Sequence, residues 1–167
     1  MNEIAISGSN EIEITTRLVV AVIIGGIIGW NRQRLGKPAG LRTHMLVCLG
    51  SALIVMIPFQ LSNPPSPDAV SRTIQGTATG IGFLGAGEIL QRSRPSKLRS
   101  RQLARQKSIQ EVAQPQIQGL TSAAAIWTTA ALGLVTGCGL WKTSLIGTGF
   151  VWFTLTLARF LEPSPRD

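Results

Sequence analysis

The sequence predicts an all-α, polytopic membrane bundle of about five transmembrane helices, with the N-terminus outside and the C-terminus in the cytoplasm. Three observations carry this expectation. Only 14% of the 167 residues are charged, against about 25% in ordinary globular domains. The charges are concentrated in two short stretches, which leaves five long segments almost free of ionisable groups. Finally, Lys and Arg divide very unequally between the two sides that five crossings would create.

The five segments run over residues 14–30, 43–61, 70–90, 119–138 and 140–161. Each has the roughly 17–25 residues needed to cross about 30 Å of hydrocarbon. Five such runs in 167 residues leave too little polar chain to cover them as the core of a water-soluble fold, so one membrane domain over residues 1–167 is expected. The first segment carries Gly25 and Gly29 as a GxxxG pair, and Asn63-Pro64-Pro65-Ser66-Pro67-Asp68 stops the helix after the second. Gly76 and Gly80 form another GxxxG pair in the third, followed by Gly82, Gly85 and Gly87. The fourth holds Ala123, Ala124, Ala125, Gly133 and Gly137, and Gly137-Cys138-Gly139 makes a tight hairpin into the fifth. Small residues allow close helix approach in lipid, and the third segment is expected at the centre. The competing reading is that its glycines expose carbonyls along an ion path, as broken transporter helices do.

Orientation follows from the positive residues. Arg32, Arg34, Lys37 and Arg42, the seven Lys and Arg residues from Arg92 to Lys107, and Arg159 and Arg166 would share one side, thirteen in all; Arg17, Arg72 and Lys142 would occupy the other. The basic side is expected in the cytoplasm. Residues 91–118 then form a basic cytoplasmic loop, drawn to anionic lipid from Arg92 to Lys107. Nucleic acid is not expected there, because no aromatic residue interleaves the charges to stack on bases. No positive n-region of a cleavable signal precedes the first segment.

Other chemistries find little support. Gly80-Ile81-Gly82-Phe83-Leu84-Gly85 fits GxGxxG, but the region twenty residues on is basic, where a ribose-binding carboxylate would be needed. Cys48 and Cys138 lie in apolar runs without metal spacing, and the lone His44 cannot build a metal site. Neither a Ser/His/Asp nor a Cys/His set can be assembled, so no enzyme, no cofactor and no bound metal are expected.

Gly29-Trp30-Asn31-Arg32-Gln33, Pro38-Ala39-Gly40-Leu41-Arg42-Thr43-His44, Gly80-Ile81-Gly82-Phe83-Leu84-Gly85-Ala86-Gly87 and Gly119-Leu120-Thr121-Ser122-Ala123-Ala124-Ala125-Ile126-Trp127 occur in this order. Together they resemble the membrane domain of the MgtC/SapB family over residues 14–160. The resemblance implies a multi-pass protein of the bacterial plasma (inner) membrane, linked to growth in low magnesium. It implies regulation of membrane partners, a P-type ATPase or the ATP synthase among them, rather than transport; the alternative is a Mg²⁺ transporter or channel. Four features depart from the family pattern. Asn31 stands where an acidic residue is usual, Gln118 where an arginine is common, residues 91–118 are longer than the usual short hairpin, and no counterpart of the best-known member's soluble C-terminal domain is expected after the fifth segment.

The resemblance marks Arg32, Arg42, Thr43, Gly82, Gly85, Gly87, Gly119 and Thr121 as signature positions. Arg42 begins an apolar run, so it also reads as a boundary anchor whose guanidinium reaches the headgroups. Glu88 is the one carboxylate inside a predicted span. It is either functional or an interfacial partner of Arg92, four residues on. Mg²⁺ conduction would need oxygen ligands, and the spans offer only this carboxylate.

Overall fold

The computed structural model describes residues 2–62, 64–92 and 119–161, and among them every regular element is a helix. The elements are α1 (Asn2–Arg34), α2 (Leu41–Leu61), α3 (Pro67–Arg92), α4 (Leu120–Gly137) and α5 (Trp141–Leu161). The basic stretch expected to meet anionic lipid lies outside the described residues. Three helical segments, Glu11–Arg34, Leu41–Leu61 and Leu120–Gly137, are long and apolar enough to cross a membrane. α3 is the more polar exception in its interior, carrying Thr73, Gln75, Thr77 and Thr79 beside five glycines.

α1 begins well before the apolar run that announces it. Its 33 residues reach about 50 Å at roughly 1.5 Å each, because backbone helicity does not stop where acidic side chains begin. It ends where Gly36 takes φ +62 and bonds its N–H to the Gln33 carbonyl at 3.0 Å, a left-handed stop that suits glycine. α2 contains Pro58, one turn from its end, and closes with the Ser62 N–H on the Pro58 carbonyl at 3.4 Å. α4 is closed at its C-terminal end by Gly139 at φ +77.

Glycine decides how the helices cross. A Cβ added at Gly25 would lie 2.8 Å from the Met45 Cα, and one at Gly29 2.7 Å from the Leu41 Cα. The GxxxG pair of α1 is therefore spent on backbone contact with α2. On the other face of α2, a Cβ at Gly133 would collide with the Cys48 carbonyl, and one at Gly137 with Val55 and Ala52. α4 meets all four other helices and buries side chains around much of its circumference, so it, not the third segment, is the centre. The reason is visible at the glycines of α3: added carbons at Gly76, Gly80, Gly82 and Gly87 would have nothing within 4 Å.

Hydroxyl groups settle locally. Thr73, Thr77, Thr129 and Thr148 each donate to a carbonyl four residues back in their own helix. Thr136 and Ser144 also share a 2.7 Å bond between α4 and α5. At the same end of the bundle, Arg17 reaches from α1 to donate to the Gly137 carbonyl at 2.6 Å and pairs with Glu13. A cation there suits the partial negative charge at the C-terminus of α4.

Candidate functional site

The buried face of α1 runs through Ala21, Ile24 and Ile28, and four residues later the same face presents Arg32. An arginine in this register enters the bundle rather than the headgroups, and it is only 2% exposed. Its guanidinium donates to the Ser122 hydroxyl on the first turn of α4 at 2.8 Å. Burying a permanent charge is costly unless its surroundings are polar, and those surroundings come from three further helices.

α2 supplies His44, fully buried. Its Nδ1 lies 2.8 Å from the Gly40 carbonyl; that oxygen can only accept, so Nδ1 carries the proton and donates. In the neutral ring Nε2 is then an acceptor, and it is buried without a hydrogen-bond partner. α3 supplies Glu88, half-buried one turn from the end of its helix. The charges of Arg32 and Glu88 both bear on the His44 ring. α4 supplies Ser122, 1% exposed. The four groups converge from four helices at the basic end of the bundle: a fixed cation, a carboxylate, an imidazole and a hydroxyl. Neighbouring Gln33 accepts the Leu41 N–H at 3.2 Å and so caps the start of α2. Asn31 reaches Thr156 of α5 at 3.5 Å.

The sequence-marked residues divide. Arg32 and Glu88 come together in the cluster. The alternative partner of Glu88, the Arg92 side chain, lies outside the described residues. Gly119 starts α4 at φ +97, and Gly85 is buried, with room for a Cβ at 3.5 Å from that of Ala123. Arg42, Gly82, Gly87 and Thr121 are exposed, and Thr43 is half-buried. Nothing in the sequence alone singles out two members of the cluster, His44 as a buried group and Ser122. The available signal was register: His44 falls one turn before the buried Cys48. Among the described residues no group of three His, Cys, Asp or Glu side chains could hold a metal ion.

The sequence model of the MgtC family matches residues 18–164, which takes in every residue of the cluster. The chain belongs to the MgtC family. It is 48% identical over 159 residues to SrpB of Synechococcus elongatus, covering 93% of this chain and 80% of SrpB. It is 38% identical over 141 residues to "Putative magnesium transporter YhiD" of Escherichia coli (strain K12), covering 81% of this chain and 56% of YhiD. MgtC of Salmonella typhimurium (strain 14028s / SGSC 2262) is 32% identical over 131 residues, 78% of this chain and 46% of that protein. The chain thus spans about half the length of YhiD and MgtC. No solved structure gives a significant match.

Proposed function

We propose that this chain is a multi-pass protein of the bacterial inner membrane that serves magnesium homeostasis by regulating membrane partners rather than by conducting the ion. The reading includes five spans with the N-terminus outside and the C-terminus inside. Candidate partners are those that the family resemblance suggests, a P-type ATPase or the ATP synthase.

The observation that carries the regulatory reading is the buried guanidinium of Arg32. Arginine stays charged at any physiological pH. A Mg²⁺ ion passing the basic end of the bundle would meet this fixed positive charge in a low-dielectric setting, where repulsion is far stronger than in water. Glu88 acts on the same His44 ring as Arg32, so a travelling ion at this carboxylate would have a resident cation in the same cluster. The second reading, a Mg²⁺ transporter, draws its support from the name of YhiD. Flux separates the two: pure protein in liposomes loaded with a Mg²⁺-sensitive dye should show no uptake above empty vesicles. Saturable uptake would overturn the regulatory reading.

A further inference from the structure

Beside the cluster, but on the outside of the bundle, α2 and α3 separate along a cleft of about 670 Å³. It runs from Leu46 to Ile57 on α2 and from Thr73 to Leu84 on α3, and its lining is overwhelmingly apolar. Three glycines, Gly50, Gly76 and Gly80, lie along it, and an added Cβ at any of them would meet nothing within 4 Å. Elsewhere in this bundle a helix-crossing glycine is covered: Gly25, Gly29, Gly133 and Gly137 each have a neighbouring helix inside van der Waals distance of an added carbon. The three in the cleft are therefore spare, and they make a smooth-floored trough.

The trough has a polar mouth. Arg42 stands one turn before Leu46 on the same side of α2, and Arg42 and Leu46 are both exposed. Thr43 falls in line with the trough by helical register, and no acidic residue occupies the first turn of α2. On α3, the open Gly87 lies one turn beyond Leu84. An apolar channel with a guanidinium at its basic end has the charge and polarity order of an anionic phospholipid, acyl chain below and phosphate above. Length favours the same occupant. Eleven residue steps span about 16 Å, close to half of the roughly 30 Å hydrocarbon. That is the depth of one leaflet's chain.

We infer that the α2–α3 trough binds one anionic phospholipid of the leaflet at the basic end, with its acyl chain over Gly50, Gly76 and Gly80 and its phosphate on Arg42. This gives exposed Arg42 a specific ligand and is independent of whether the protein regulates or transports.

The test is native mass spectrometry of the full chain released from detergent in the presence of phosphatidylglycerol or phosphatidylcholine with identical acyl chains. Wild type should retain one phosphatidylglycerol in preference to phosphatidylcholine. Arg42→Gln should lower that retention about fivefold, the size of one basic residue's pull on an anionic headgroup. Gly80→Leu should lower it about tenfold, since displacing roughly two CH₂ groups from their contacts suffices. Gly80→Leu should melt no lower than the wild type, because its Cβ meets open space. Arg34→Gln removes another exposed arginine from the same end, one that rests 5.0 Å over the Trp30 ring, and should change nothing. Equal loss in Arg34→Gln would reduce the effect to diffuse attraction and overturn the site. Unchanged retention in Gly80→Leu would remove the lipid from the trough. A wild-type dimer that Gly80→Leu converts to monomer would assign the trough to a second copy instead.

Discussion

Gly133→Ala isolates what glycine does at the heart of this bundle. The new methyl would collide with the Cys48 carbonyl oxygen and lie 2.9 Å from the Ser51 Cβ. Ordinary contact needs roughly 3.5–4 Å, so α2 and α4 must part by at least several tenths of an ångström. The obstacle is largely backbone, which cannot swing aside as a side-chain tip could. Overpacking of this kind costs about 1–3 kcal/mol, and the blocked carbonyl argues for the upper end. Alanine recovers about 0.8–1 kcal/mol of helix propensity relative to glycine, which leaves a net loss of about 2 kcal/mol. Gly80→Ala is the control: its methyl meets nothing within 4 Å, so only the propensity gain remains and the variant should be about 0.5–1 kcal/mol more stable. The pair should differ by roughly 2–3 kcal/mol when unfolding in mixed micelles is followed by circular dichroism against SDS fraction. Equal stability of the two variants would refute the claim that α2 and α4 meet backbone to backbone.

Arg17→Ala should cost about 1–3 kcal/mol in the same assay by stripping the Gly137 carbonyl of its donor, and Arg17→Lys should recover only part, since lysine lacks the fork. Ser122→Ala should cost about 1.5 kcal/mol, between the ~0.6 kcal/mol mean for interhelical hydrogen bonds in membranes and the larger value for bonds to a charge; no loss in that variant would mean that Ser122 is not a partner that Arg32 depends on. Reporter fusions after Gly8 and Pro65 should read outside, and those after Leu103 and Pro163 inside; an outside signal at Leu103 would reverse the proposed topology.

Most of the helical architecture is legible because apolar length and helix-stopping residues are local. The turn signals at Asn63–Asp68 and Gly137–Gly139 mark the α2–α3 and α4–α5 junctions, with Pro67 and Asp68 opening α3 and Gly137 closing α4. What the sequence misjudges is which glycines are used. Gly25 and Gly29 look no different from Gly76 and Gly80 on paper, yet only the first pair faces a neighbour. A GxxxG motif states that a helix can be approached closely; it does not say by what, and that depends on contacts far along the chain. The cluster is half legible for the same reason. Arg32 and Glu88 stand out as ionisable groups near apolar runs, whereas His44 and Ser122 acquire meaning only when α1, α2 and α4 meet. Arg42 attracts notice through its place in a signature, but it is exposed, whereas Arg32, His44 and Ser122 are buried.

The crossing at Gly133 has a consequence for how the protein is made. α1 and α2 are neighbours in sequence, so Gly25 and Gly29 can find their seats on α2 as soon as both helices have entered the bilayer. Cys48, Ser51 and Ala52 of α2, in contrast, meet Gly133 and Gly137 of α4, which emerges after α3 and the whole basic stretch. During that interval the surface that will meet Gly133 and Gly137 is dressed in lipid, and each lipid must leave again when α4 arrives. Biogenesis therefore has one late, long-range step, and variants at Gly133 or Gly137 should accumulate as inserted but unassembled chains, open to the membrane's proteases.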